Sequence, residues 1–283
     1  MRKRNTAILV DTGCDVPQSF IQKYNIKVLR LRLSYGDEHY LDSVELASEV
    51  YRRFPGEIPH TSTPTMQDYY DMIEEIKAEG YENVIGVFIS SKLSSTCHTA
   101  QMVFREHPEL NSFILDSKNI SIGAGLLAMW AAVQIDKKVP YEEVCKGLEH
   151  KVADSKVFFY MDTLEYLRKG GRIGGVTAVA GSLLKIKPII SCDKEGVYYT
   201  VAKIRGAKAG IEKIVSLVEE KAGGKPAWLA LMNGAAADTA AQVRPLLKKR
   251  IKKGSIVADS QIAATLAVNT GPGLLGIGVL ENP

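Results

Sequence analysis

The chain is poor in cysteine, in histidine and in extended apolar segments, and each shortage argues against a class of function. Its four cysteines, Cys14, Cys97, Cys145 and Cys192, lie far apart and form no Cys-x-x-Cys pair. A disulfide framework or zinc site is therefore not expected, and a reducing cytoplasm fits. No apolar stretch reaches the ~20 residues of a membrane helix; the longest lie around residues 123–135 and 274–280. Behind the opening Met1-Arg2-Lys3-Arg4, the apolar run Ala7-Ile8-Leu9-Val10 stops at Asp11, too short for an export signal. A cytoplasmic protein without an integral membrane segment is expected. Charge of one sign is scarce too, with a net +4 over 283 residues. The basic run Lys248-Lys249-Arg250-Ile251-Lys252-Lys253 reads as a solvated helix end, so nucleic acid is not an expected partner. No Walker lysine-hydroxyl pair, Gly-x-Ser-x-Gly elbow or Asp/His metal pattern occurs, and neither a metal nor a cofactor is expected.

Hydrophobic content of 46% and charged content of 24% match an ordinary globular protein. The length exceeds the usual size of one core and favours two α/β domains. Up to about residue 150, buried-strand segments (Ala7 to Val10, Asn83 to Ile89, Phe113 to Leu115) alternate with segments of helical period. That alternation predicts a Rossmann-like parallel sheet covered on both faces. After Ser155 the strands shorten, and Gly196-Val197-Tyr198-Tyr199-Thr200-Val201 alternates as a half-exposed antiparallel strand does. The expected fold is thus a parallel-sheet domain over residues 1–154 and a mixed or antiparallel α/β domain over residues 155–283.

Three clusters of small polar residues stand out: Thr61-Ser62-Thr63-Pro64-Thr65, Ser90-Ser91-Lys92-Leu93-Ser94-Ser95-Thr96 and Asn269-Thr270-Gly271-Pro272-Gly273. Each is placed at the end of a predicted strand, where hydroxyls and backbone N–H groups can face one oxyanion. Helix capping explains one serine of the second cluster, but four in six residues exceed what a cap requires. Pro64 fixes the first cluster's backbone, although taken alone that cluster reads better as a cap for the next helix. The turn Asp11-Thr12-Gly13-Cys14-Asp15 fits either a ligand crevice or ordinary turn chemistry. In Arg168-Lys169-Gly170-Gly171-Arg172 the glycines stop a helix, and Arg172 is exposed to meet a phosphate or carboxylate.

In this order, the clusters resemble the DegV family of bacterial fatty-acid-binding proteins, including the binding subunits of fatty acid kinase. The resemblance adds Asp116-Ser117, Leu164 through Ile173, and Lys203-Ile204-Arg205-Gly206, and spans nearly the whole chain. It implies a long-chain fatty acid between two α/β domains, its tail in an apolar tunnel, presented to a separate kinase that makes acyl phosphate. By motif position, Thr61 and Ser94 are implied as carboxylate-binding hydroxyls, with Ser62 and Ser95 alongside. Arg205 is implied near the head group and Arg172 as a kinase-docking residue. Where the family commonly has His before Thr-Gly-Pro-Gly, this chain has Asn269, which donates a hydrogen bond but cannot become cationic. Where it commonly has Gly, this chain has Ser95. Candidate tunnel-lining segments are Val179 to Ile186 and Gly125 to Trp130. Two other classes stay open: a hydrolase or phosphotransferase using Ser94, for which His98 is the nearby base, and a regulatory or scaffolding protein that contacts its partner without lipid.

Overall fold

The computed structural model describes residues 5–179 and 186–283. The first strand, β1 (Thr6–Asp11), is buried along its whole length, as a parallel strand covered on both faces must be. It is followed by α1 (Gln18–Tyr24), β2 (Lys27–Leu29) and the short strands β3 (Arg32–Tyr35) and β4 (Glu38–Leu41). Next come α2 (Leu46–Arg53), β5 (His60–Ser62), α3 (Met66–Ala78), β6 (Asn83–Phe88) and α4 (Thr96–Arg105). β7 (Asn111–Asp116), α5 (Ile122–Asp136) and α6 (Tyr141–Asp154) follow. The remainder carries β8 (Ser155–Tyr160), α7 (Glu165–Lys169), β9 (Ile186–Cys192), β10 (Tyr198–Arg205) and α8 (Ala207–Ala222). It closes with β11 (Ala227–Gly234), α9 (Ala237–Arg250), β12 (Gly254–Gln261), α10 (Ala264–Thr270) and β13 (Leu274–Glu281).

Two domains result. A four-stranded sheet of order β2-β1-β6-β7 is parallel throughout. A six-stranded sheet of order β10-β9-β8-β13-β11-β12 is antiparallel except where β11 pairs with β12. A small antiparallel sheet, β4-β3-β5, stands beside the first. The parallel first half and mixed second half agree with the alternation in the sequence.

α5 joins the layers. It is apolar on all sides, as a helix buried on all sides is, and packs on β1 and β6 of one sheet and on β8, β11 and β13 of the other. One apolar core therefore runs from Ile8 through α5 to Leu280. α3 and α4 cover the outer face of the four-stranded sheet; α8 and α9 cover that of the six-stranded sheet. Gly125 lets α5 lie close against the turn after β1, since a Cβ there would sit 2.3 Å from the Cys14 carbonyl oxygen.

The sequence reading differs from the structure mainly at small elements. β4, β5, β12 and α10 were not anticipated, and Asn269 ends a helix rather than following a strand. No helix among the described residues is long and apolar enough to cross a membrane.

Candidate functional site

In the four-stranded sheet, β1 is flanked on one side by β2 and on the other by β6, so the chain reverses its strand order between β1 and β6. Parallel α/β sheets form their ligand crevice outside the carboxyl ends at such a point. Here β1 runs into the Gly13 turn and β6 into Ile89, Leu93 and Ser94. Opposite stand Thr61, Ser62 and Thr63 from β5 and its exit, Tyr198 from β10, Arg172 from the loop after α7, and Thr265, Leu266 and Asn269 from α10. With Leu31 and Ile120 these residues enclose about 580 Å³ of empty space, part of it open to solvent.

The hydroxyls fall into two groups. Ser90 donates to the Gly196 carbonyl at 2.8 Å and Ser91 to Asp116 at 2.5 Å. These two serines tie the loop to the other domain and to β7, so they are not ligand donors. Ser94 Oγ accepts the Thr96 N–H at 3.3 Å and lies 2.7 Å from Thr96 Oγ1. A hydroxyl has two acceptor sites and one donor. Both contacts with Thr96 can therefore be accepted while the Ser94 proton is given to a ligand. Ser95 occupies the N-cap position of α4 without a side-chain capping bond; it is exposed and does not line the cavity.

In the first cluster Thr65 is the cap. Its hydroxyl and Asp68 form a reciprocal capping box at the start of α3. Thr61 and Ser62 instead lie on β5, held by pairing with Leu33 and Arg32 of β3, and their hydroxyls take no hydrogen bond from the described residues. That leaves both able to donate to a ligand.

α10 carries the third wall. Asn269 Nδ2 donates to the Thr265 carbonyl at 2.9 Å, Asn269 Oδ1 is buried without a hydrogen-bond partner among the described residues, and the Thr265 hydroxyl faces the Asp42 carboxyl. Sequence reading missed Thr265; its spacing of four from Asn269, one helical turn, was the available signal. A Cβ on Gly170 would stand 2.2 Å from Asn269 Oδ1, so a glycine lets the α7 turn close over this residue.

Arg172 is exposed, and its Nη1 donates to the Gly170 carbonyl at 2.7 Å. Arg205 ends β10 on the surface, away from the cavity wall. Gly125 to Trp130 lies within α5, and none of it lines this cavity. Val179 to Ile186 falls, apart from its ends, outside the described residues. The Asp11 and Asp15 carboxyls are pushed up to about 7 by burial, and Asp42 is raised for the same reason. All three are occupied by hydrogen bonds to neighbouring backbone.

Several hydroxyls beside the side chains of Leu31, Ile89, Leu93, Ile120 and Leu266 suit an oxyanion with an apolar part. Among the described residues no hydroxyl is hydrogen-bonded to an imidazole, and His98 is exposed on α4, so Ser94 has no base beside it. No group of three His, Cys, Asp or Glu residues among the described ones is arranged to hold a metal ion.

Comparison with known proteins gives the same frame. The family model described as "Uncharacterised protein, DegV family" matches residues 5–282. A DegV domain-containing protein of Clostridium acetobutylicum is 38% identical over 276 residues, covering 97% of this chain and 98% of its own. A Thermotoga maritima protein named as a fatty acid-binding protein is 30% identical over 283 residues, covering 96% of each chain. The solved structure of a DegV family protein from Thermus thermophilus, described for its fatty acid binding, aligns with a TM-score of 0.90 at 27% identity, covering 98% of this chain and 99% of that one. With its ordered motifs, its pair of sheets and a family match over almost its full length, this chain belongs to the DegV family.

Proposed function

We propose that this chain is a cytoplasmic, non-enzymatic carrier that binds a long-chain fatty acid and presents its carboxylate to a fatty acid kinase. Thr61, Ser62, Ser94 and Asn269 hold the carboxylate, and the domains meet between Asp154 and Ser155. One observation carries the reading: the Thr61 and Ser62 hydroxyls have no hydrogen-bond partner among the described residues and the Ser94 hydroxyl can accept from Thr96 while keeping its own proton for a ligand, all in residues lining a single cavity. An acyl carboxylate meets the free hydroxyls, and the fatty acids of the named relatives support that choice of anion. Burying ~15 methylenes at about 0.8 kcal/mol each yields a gross ~12 kcal/mol before ordering costs. The tail thus supplies affinity and the polar end orientation.

Mass spectrometry of lipid extracted from the purified native protein is expected to find an acyl ligand, or uptake of added oleate or palmitate. Neither appearing would sink the reading. The kinase step is supported by the exposed Arg172 at the cavity. Arg172→Ala is expected to keep fatty-acid affinity while losing acyl-phosphate formation by a fatty acid kinase. Equal turnover with the variant would remove Arg172 from docking.

A further inference from the structure

The first N–H groups of a helix have no acceptor within it. In α10 three consecutive ones are met from the first domain. Ala263 N–H donates to Asp15 Oδ1 at 2.8 Å, Ala264 N–H to the Ser43 carbonyl at 3.0 Å, and Thr265 N–H to Asp42 Oδ1 at 2.8 Å. Two of the three acceptors are carboxyl oxygens of side chains from the first domain. Seven residues are too few to hold a helix in place by themselves, so the position of α10 is set by these acceptors.

The acceptors are themselves fixed. Asp15 Oδ2 takes the Ser121 hydroxyl at 2.5 Å, and the Asp42 N–H donates to the carbonyl of Leu31, a cavity residue, at 2.8 Å. Asp15 and Asp42 are 6% and 0% exposed, so water does not replace them as acceptors. The same first turn of α10 presents Thr265 and Leu266 to the cavity, and its next turn presents Asn269.

We infer that Asp15 and Asp42 are positioning residues of the ligand site, acting across the domain interface by fixing the first turn of α10 so that Thr265 and Asn269 stand opposite Thr61 and Ser94. The inference rests on the fatty-acid reading for its ligand and on the hydrogen bonds alone for its geometry. Asp42 gives the sharper test, because its Oδ1 accepts the N–H of Thr265, a residue of the cavity wall, directly. Asp42→Asn keeps an acceptor for Thr265; Asp42→Leu has nearly the same shape and none.

Oleate titrations on the full chain, with amide hydrogen exchange read at Ala264 and Thr265, separate positioning from general support. The expected result is oleate affinity within about threefold of wild type for Asp42→Asn and at least about tenfold weaker for Asp42→Leu, with faster exchange in the leucine variant. Leu247→Ala, which removes buried packing in α9 on the far side of the six-stranded sheet, should destabilise the fold without moving the affinity. Wild-type affinity in a folded Asp42→Leu protein overturns the inference, as does an equal affinity loss in Leu247→Ala. If the wild type takes up no fatty acid, the functional reading fails, and exchange at α10 still decides the geometry. If Asp42→Leu does not fold, the wild-type amides of Ala263, Ala264 and Thr265 decide: exchange as fast as in an open chain overturns the proposal.

Discussion

Thr61→Ala combined with Ser94→Ala is expected to weaken long-chain fatty-acid binding by roughly a hundredfold or more while leaving the fold in place. Each hydroxyl donates one hydrogen bond to a charged carboxylate, worth ~1.5–3 kcal/mol, and a tenfold change corresponds to ~1.4 kcal/mol. The two residues stand on different elements, β5 and the turn after β6, so their losses should come close to adding. Stability should move little. The Thr61 hydroxyl has no partner among the described residues, and Ser94 serves only Thr96, a cap-like contact worth ~1 kcal/mol. The tail keeps its apolar contacts, so residual binding persists. Calorimetric titration with palmitate, alongside a thermal melt of the same variant, makes the measurement. Unchanged affinity would take these residues out of the site, and collapse of the melt would make them structural.

Thermal stability measured without fatty acid is expected to fall by several degrees as pH rises from about 5.5 to 8, the reverse of ordinary acid lability. Burial raises the Asp11 and Asp15 carboxyls from 3.8 to about 7 in the folded chain. Between those values the folded state holds protons that the unfolded state has released. The contribution is therefore full below the unfolded value and is lost as pH rises through the folded one. Hydrogen bonds from Ile89 N–H to Asp11, and from Ser121 and Ala263 to Asp15, limit the rise, while Asp42 adds to both by like charge. Surface carboxylates act in the opposite sense: Glu49 is held at about 2 chiefly by Arg52, and Glu109 at about 2 chiefly by His107. Their contribution is complete above their unfolded value of 4.5, so the window from about 5.5 upward reports the buried carboxyls, Asp42 included. Asp15→Asn should flatten the slope. A melting temperature that stays level or climbs across this range in the wild type would contradict the assignment.

The sequence discloses strands and motif order better than it discloses which side chains are free. Buried parallel strands such as β1 are legible because both faces must be apolar, and α5 is legible as a long apolar segment. The serine count after β6 misled in part. The partner of Ser90 lies 106 residues away and that of Ser91 lies 25 away, so no local pattern shows that they are engaged. α10 was missed for a related reason. Its N-terminus is capped across 248 residues by Asp15 and across 223 by Asp42, while its own first residues include no capping side chain. Thr61, Ser62, Ser94, Asn269 and Arg172 do meet at one cavity, whereas Ser95 and Arg205 stand outside it. A motif places a residue along the chain; which way it faces depends on the tertiary fold.

The helix α5 gives the two-domain description a specific limit. Because it lies between both sheets and belongs to the core of each, cutting the chain between the four-stranded and six-stranded sheets would strip one piece of its cover and leave an open apolar face. The partition is a matter of strand connectivity, and it does not divide the molecule into two independently melting units. Heat should therefore take both sheets apart in a single cooperative transition, and a clam-shell opening would have to break the same core that holds each sheet together.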